Sequence, residues 1–391
     1  MMYFRRKAAV LTAVGALAAM TATGCSGSID TDAVVATVGE EDISLGVANF
    51  YARMTQGQYE TYYAGMMGTT GEAMWTQDAG EDQTYEDSVK DGLMESLQNM
   101  YLISQHASDY DVSLTEEEEE AITAAAEQFD ADNTDSAKET VSGYKKDIEK
   151  YLELITIQSK MDSKMREGVD EEVSDEEAAQ KAMQYVYFSY TTTDDSGNST
   201  ELTDEEKEEL KADAQNLADR VAAGEDISTV AEELGQTANE LTFDSESTSP
   251  NEDLIAAADA LETEGEVTDL IETDGGIYVG QLTSLLDRDA TDQEKETIVE
   301  ERRQEQYDSL LEEWRNDTDI EVNERVWNRV DFEDTGVTII TSETDETATD
   351  EGSAEDTSED SGAADEGTAS CLYKVIKRKR KNSGRKATVF W

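Results

Sequence analysis

The sequence predicts an α+β multidomain chain, and three observations carry that reading. Apolar residues recur at helical spacing in long stretches between residues 45 and 166. Near Val173 the pattern changes to short strand-like runs alternating with short helices, as far as Leu282. Helical spacing then returns over 292–314. A length of 391 residues allows two or three domains.

The first 25 residues have the layout of a leader. Arg5, Arg6 and Lys7 precede 13 small or apolar residues, 8–20, interrupted only by Thr12. Such a run is too short for the ~30 Å hydrocarbon core, which takes ~20 helical residues. Positive charge, a short apolar run and then small residues make a secretory signal. Nothing polar patterns the run as a core helix would be patterned. Ala22, Thr23, Gly24 and Cys25, followed by Ser26 and Gly27, resemble a lipobox, with Ala22 in place of the usual Leu, Val or Ile. Two processings fit: acylation of Cys25, or ordinary cleavage near Ala22. The first implies a lipid anchor in the cell membrane, with the folded part on its extracytoplasmic face. Cys25 and Cys371 are the only cysteines. With Cys25 acylated no internal disulfide forms, and the exported chain is held by its cores alone.

Charge narrows the partners. The chain has 92 acidic and 31 basic residues. Three of the bases lie at 5–7 and eight beyond residue 370, so residues 26–370 keep 20 bases against all 92 acids, a net charge of −72. Nucleic acid is excluded as a partner, because phosphate binding needs Lys and Arg. Most of this charge reads as solvated helix faces.

Each element has its own local signal. The β-branched run 34–38 is followed by Gly39 and a second short segment around Ile43, and Ser44 is placed to cap the next helix. That helix carries Val47, Phe50, Tyr51 and Met54. A Gly- and Met-rich connection covers 65–80. The stretch 85–110 is strongly amphipathic, with Val89, Leu93, Leu97, Tyr101 and Ile103. Thr115 and the acids after it start a helix over 114–128, and 138–166 reads as one more long helix. Tyr185, Val186, Tyr187, Phe188 and Tyr190 form a strand-like run. Helices over 203–223 and 227–234, each ended by Gly, a short strand at 241–243, a helix at 254–261 and strands around 267–271 and 277–282 complete a β-α-α-β-α-β-β order. The segment 322–332 is mixed or extended. Residues 341–370 contain 11 acids and too little apolar area to fold, so they read as disordered. The last 21 residues switch to basic, with Lys374, Lys377 and Arg385 among them.

Several of these segments together resemble extracytoplasmic foldases of the PrsA/SurA type. They are Val34, Ala36, Thr37, Val38, Gly39 and Glu40 with Ile43 and Ser44; the helix over 89–110 leading into Val112, Ser113, Leu114 and Thr115; and Val173, Ser174, Asp175 and Glu176. Further on, Gly224, Asp226, Ile227, Val230 and Ala231 are similar to the family's Gly-x-Asp-Phe-x-x-Val-Ala segment, and Gly276, Ile277, Tyr278, Val279 and Gly280 to its closing strand. The resemblance covers about residues 30–333. It implies a leader over 1–25, a helical chaperone domain over 26–173, an inserted parvulin-like α+β domain over 174–290, a C-terminal helix over 291–333 that completes the chaperone domain, an acidic linker over 334–370 and a basic tail over 371–391.

Parvulin-type prolyl isomerases resemble one another in a hydrogen-bonded His pair, one on the first strand and one on the last, with an Asp or Cys between. This chain departs from that pattern. Its one histidine is His106, on the N-terminal helix, where a partly buried packing role is expected. Tyr187 stands at the first His position and Tyr278 at the second, with Asp244 the nearest acid for the middle position. An ordinary phenol titrates near 10 and cannot copy imidazole acid–base behaviour at neutral pH. Three readings of Tyr187 and Tyr278 stay open: strand aromatics, a groove for extended peptide, or a residual isomerase site. No metal site and no cofactor is expected, since the acidic loops at 130–135 and 194–205 lack the Gly of an EF-hand. Tyr62, Tyr63, Met66, Met67, Met74 and Trp75 are expected to form an exposed client-binding surface, because flexible Met and amphipathic Tyr suit promiscuous contact.

The expected function is a lipid-anchored foldase-like chaperone whose partners are unfolded exported polypeptides, with the basic tail available to an anionic envelope polymer. The alternative is a non-catalytic surface lipoprotein that binds a defined ligand or serves as an adhesion or structural module.

Overall fold

The computed structural model describes residues 20–24, 29–66, 68–80, 83–193 and 199–340. Cys25, Met67, the acidic segment from 341 and the basic tail lie outside them. The chain is a mixed helical and β protein with small antiparallel sheets, in keeping with the α+β class. It divides into two compact units, one of Met1–Arg166 with Tyr307–Trp391 and one of Glu167–Gln306.

The first unit begins with β1 (Met20–Gly24), a strand within the segment assigned above to a leader. β2 (Val34–Val38) and β3 (Glu41–Ser44) form a hairpin that turns at Gly39, with φ +60°. Helix α1 (Leu45–Gln58) starts where the Ser44 hydroxyl accepts from the Val47 amide at 3.3 Å. It runs into a π-helical turn, Tyr59–Tyr63. After α2 (Gly71–Trp75) and the short pair β4 (Asp78–Gly80) and β5 (Gln83–Thr84), helix α3 (Tyr85–His106) opens on a capping box between Thr84 and Asp87. Helix α4 (Glu116–Asp132) opens on a second box, between Thr115 and Glu118, with four acids in its first turn favoured by the helix dipole.

The chain then departs from the long helix expected over 138–166. It forms α5 (Asp135–Val141) and α6 (Lys145–Met165). Between them Ser142 takes a left-handed φ of 54°, and a Cβ on Gly143 would overlap the Phe129 ring. Helical periodicity continues through the break because both helices bury the same kind of face.

The second unit holds β6 (Lys181–Ser189), the outlying hairpin β7 (Thr191–Thr193) and β8 (Ser199–Glu201), α7 (Asp204–Ala222), α8 (Ile227–Glu233), β9 (Ala238–Phe243), α9 (Glu252–Asp259), β10 (Ile271–Thr273) and β11 (Gly276–Ser284). Its antiparallel sheet has the order β10-β11-β6-β9. Alternation along β6 and β11 splits two cores. Val186, Phe188, Ile277 and Val279 pack under Leu217, Val221 and Val230 of α7 and α8. Met183 and Leu282 pack with Phe243 and with Leu254 and Ile255 of α9. Gly280 lets α9 close on the sheet, since a Cβ there would lie 3.1 Å from Leu254 Cδ1.

Helix α10 (Arg288–Asp317) starts in the second unit and from Tyr307 belongs to the first. There Trp314 stacks on His106, ring centroids 4.2 Å apart and 10° from parallel, which gives His106 the packing role expected of it. β12 (Ile320–Val322) adds to β2, and α11 (Glu324–Trp327) follows. The chain ends its described course in β13 (Thr335–Ile339), antiparallel to β1. The sequence reading groups this strand with the acidic linker, although Thr335, Val337, Thr338 and Ile339 are β-branched.

Buried polar groups fasten this last segment. Arg53 of α1 is 1% exposed. Its Nη1 donates to the carbonyls of Asp331 at 2.9 Å and Thr335 at 3.2 Å and to Gln56 Oε1 at 2.6 Å, while Nε donates to Asn49 Oδ1 at 3.3 Å. Burial lowers its pKa to about 10, and Glu86, Asp331 and Glu60 pull the other way, so it stays charged at neutral pH. Glu86 of α3 accepts from the amides of Phe332 at 3.0 Å and Glu333 at 3.3 Å. Glu60 joins three elements: it accepts from Gln56 at 2.6 Å, from the Trp75 indole at 2.8 Å and from the Val337 amide at 2.8 Å.

Asp147, in the first turn of α6, is 2% exposed, and its Oδ2 has no hydrogen-bond partner among the described residues. It lies against Gly46, where a Cβ would overlap the carboxyl group. Burial raises its pKa from 3.8 to about 6. The folded state therefore holds this proton more tightly than the unfolded chain, and stability falls as pH rises from about 4 to 6. The loss is about 2 kcal/mol, because a tenfold change in proton affinity is worth about 1.4 kcal/mol and the site relaxes in part. Asp147→Asn is expected to raise stability at pH 8 by about that amount and to change little at pH 4, measured by urea unfolding at both pH values. An equal gain at pH 4 and pH 8 would contradict this account.

Candidate functional site

The site singled out by sequence lies on the central strands of the second unit. β6 and β11 pair in a register that sets Tyr278 directly opposite Tyr187, Val279 opposite Val186 and Ile277 opposite Phe188. The two tyrosines share the face that α9 covers only in part. Their rings meet at a centroid distance of 4.4 Å with 31° between planes, and Tyr185 lies 6.1 Å from Tyr278. Both tyrosines are half-buried, and the contact between them is ring to ring. Gly275 and Gly276 form the turn beside them; a Cβ on Gly275 would lie 2.9 Å from the Tyr187 hydroxyl.

Burial, with neighbouring phenols adding to it, pushes both tyrosines above the ordinary phenol range, although a hydrogen bond from Thr273 opposes the shift at Tyr187. At neutral pH both are neutral. The pair offers an apolar, weakly polar-edged platform for a flat or cyclic side chain, and its groups do not exchange protons near pH 7.

Asp244 does not join them. It follows β9, where Phe243 pairs with Lys181 at the far end of β6, six residues from Tyr187. Six strand residues span about 20 Å. Its carboxylate is taken up locally: Ser247 donates to Oδ1 at 2.8 Å, the Glu246 amide to Oδ1 at 3.0 Å and Gln180 to Oδ2 at 3.1 Å. Burial works to raise its pKa, but these donors outweigh it and leave the group below the usual carboxylate range. Asp244 closes a turn; an acid between the two strands is not supplied by it.

The expected client surface of the first unit divides. Tyr62 is 52% exposed, Tyr63 37% and Met66 82%. Met74 and Trp75 are wholly buried, a correction to their expected exposure. Gly71 is the cause: a Cβ there would lie 2.7 Å from Glu60 Cγ, so glycine lets α2 dock on the π turn and carry both side chains inward. Trp75 becomes the floor of an aromatic cluster, 4.8 Å from Phe332, 5.8 Å from Tyr85 and 5.8 Å from Tyr59. Tyr63 leans on Tyr59 at 5.3 Å. Tyr63 thus ties the exposed group to the aromatic cluster, with Tyr62 and Met66 beside it in sequence.

An open cleft in the second unit is lined mainly by charged groups such as Glu171, Lys295 and Arg303, with Val173 and Val299. Arg303 is already committed to Glu171 at 2.5 Å. Among the described residues no cluster of three His, Cys, Asp or Glu side chains is arranged to hold a metal ion, and no helix is long and apolar enough to cross a membrane.

No protein-family model and no curated protein matches the chain. Among solved structures, the foldase protein PrsA from Streptococcus pneumoniae str. Canada MDR_19A overlaps 65% of this chain and 96% of its own, at 18% identity and a TM-score of 0.27. The foldase protein (PrsA) from Lactococcus lactis overlaps 76% of this chain and 97% of its own, at 14% identity and a TM-score of 0.29. The peptidylprolyl isomerase (PrsA) from Bacillus anthracis overlaps 57% and 95%, at 16% identity and a TM-score of 0.24. Overlaps at this level carry no weight for the site, whose chemistry rests on the residues just described.

Removing one ring separates the structural role of the pair from any other. Tyr278→Ala is expected to cost the second unit about 2 kcal/mol, from lost burial and ring contact. Tyr278→Phe is expected to stay within about 0.5 kcal/mol of the parent, since the ring contact is kept. Urea unfolding followed by near-ultraviolet circular dichroism reads both; a Phe variant as unstable as the Ala variant would show that the hydroxyl, not the ring, holds the site.

Proposed function

We propose that the chain is a foldase-like chaperone, anchored by an acylated Cys25 on the outer face of the cytoplasmic membrane, that holds extended segments of newly exported polypeptides. The observation that carries this reading is the exposed group Tyr62, Tyr63 and Met66 in the helical unit, of which Tyr63 packs through Tyr59 on the buried Trp75. Apolar, adaptable side chains bind many sequences weakly, as holding an unfolded chain requires. The acidic body supports the same role. Its self-repulsion keeps a client-loaded protein soluble, and its field draws in polypeptides of positive charge.

The second unit adds a surface for proline-containing segments in this reading. The resemblance to parvulin-type domains puts Tyr187 and Tyr278 where those enzymes carry histidines, and the two strands hold them face to face. Prolyl isomerisation proceeds when the ring is seated in an apolar pocket and the twisting amide loses water, against a barrier of ~20 kcal/mol. A neutral tyrosine platform supplies the seat without the polar pair that would reshape the amide. Binding therefore exceeds catalysis.

Two assays on the same preparation test the proposal. Aggregation of an unfolded client is expected to be suppressed by the parent chain, and about tenfold more of the Tyr62→Ser, Met66→Ser double variant is expected for the same protection, at an unchanged melting temperature. Refolding of a client limited by a proline bond is expected to accelerate by less than twofold. A parent chain with no effect in either assay sinks the proposal.

A further inference from the structure

β13 has two edges, and both are used. The amides of Val337 and Ile339 point to the π turn, donating to Glu60 Oε2 at 2.8 Å and to Thr61 Oγ1 at 3.0 Å. Backbone groups alternate along a strand, so those of Gly336 and Thr338 face the other way, onto β1. There the register runs Met20 to Ile339, Thr21 to Thr338, Ala22 to Val337, Thr23 to Gly336 and Gly24 to Thr335.

The first residue of β1 fits a prepared pocket. Met20 is 3% exposed and belongs to the cluster that contains Phe50, Met54, Phe129, Val337 and Ile339. Its Cε is 2.8 Å from the place a Cβ would take on Gly57, so glycine at 57 makes room for the side chain. Its amide donates at 2.7 Å to Asn133 Oδ1, a buried acceptor. That Asn133 side chain is oriented from behind, its Nδ2 donating to the Phe129 carbonyl at 2.9 Å. A buried amide held to receive one backbone N–H, beside a strand edge that β1 fills and an apolar pocket, is the equipment of a strand-accepting groove.

Residues 20–24 precede Cys25, so either leader processing, at Cys25 or near Ala22, removes Met20 from the mature chain. The larger core cluster of the unit contains no residue of β1. Processing would thus leave the unit's main core intact and expose the Gly336 and Thr338 edge, the Met20 pocket and Asn133 Oδ1. We propose that this vacated groove is a client site, which takes an extended polypeptide segment as an added antiparallel strand with a Met- or Leu-like side chain in the pocket. The occupant follows from what fills the groove here: a five-residue extended stretch of small and polar residues led by one flexible apolar side chain. Main-chain hydrogen bonds give such a site tolerance for sequence, and the single pocket sets the register. The inference rests on the chaperone reading and on removal of the leader.

Fluorescence anisotropy with a labelled peptide of the sequence Ala-Ala-Met-Thr-Ala-Thr-Gly tests it, against the processed chain that starts at Cys25 and the chain that retains residues 1–24. The peptide is expected to bind the processed chain and to bind the leader-retaining chain at least tenfold more weakly. An unfolded, cysteine-free client is expected to displace it. Asn133→Ala is expected to weaken peptide binding about tenfold in the processed chain, and a peptide with Asp in place of Met to bind at least tenfold more weakly to the unaltered chain, which keeps the test independent of any variant's folding. Equal binding to both chains, indifference to the Met-to-Asp change, or failure of the client to compete would each overturn the proposal. A processed chain that suppresses client aggregation yet ignores the peptide refutes the groove alone; one that binds the peptide yet protects no client refutes the chaperone reading.

Discussion

A guanidinium that is 1% exposed needs acceptors close at hand, and Arg53 finds them in Asn49 and Gln56 of its own helix and in one short stretch near the end of the described chain. The carbonyls of Asp331 and Thr335 accept from it, while the amides of Phe332 and Glu333 are taken by Glu86. Residues 331–335 are therefore held by a positive group on their carbonyl side and a negative group on their amide side. Burying either charge alone is costly, and stripping one partner from such an arrangement typically costs about 3–5 kcal/mol. The strength of this arrangement lies in its completeness: backbone dipoles solvate both charges, with Lys90 3.4 Å from Glu86.

Much of the first unit follows from that capture. It sets Phe332 against Trp75, which floors the aromatic cluster. It delivers β13 to the π turn, where Glu60 ties Val337, Trp75 and Gln56 together. The π turn that carries Tyr62 and Tyr63 thus lies along one edge of β13, and the groove along the other. The C-terminal return of the chain adds to the contacts that Gln56 and Trp75 already make with the π turn, through the Val337 and Ile339 amides.

The parts legible in the sequence were those with local causes. Thr115 with Glu118 signals a helix start within four residues, and Ser44 does the same for α1. The runs from Tyr185 to Phe188 and from Ile277 signal strands, and the structure pairs them side by side. Tyr187 and Tyr278 were picked out by the resemblance to parvulin strands and not by alternation. The parts that escaped depend on distant partners. Trp75 reads as exposed among glycines until Gly71 is seen as a close approach to Glu60 rather than as a flexible link. Asp244 is an acid at a plausible distance along the chain, yet the end of β6 where it lies is fixed only by strand register. The break at Ser142 is followed by Gly143, where the lack of a side chain leaves room for the Phe129 ring. β13 is five residues beside an acidic run, and its strand character shows only once Arg53 and Glu60 hold it.

Amide hydrogen exchange measures that capture directly. The amides of Phe332, Val337 and Ile339 all donate to side chains buried or half-buried in the first unit, and none of them depends on β1. If the Arg53 and Glu86 arrangement holds the segment, these amides exchange through the same global opening as Leu97 in the core of α3, with closely similar free energies, and Arg53→Met accelerates all three together. Exchange near the rate of an unstructured peptide, with Leu97 still protected, would contradict the account.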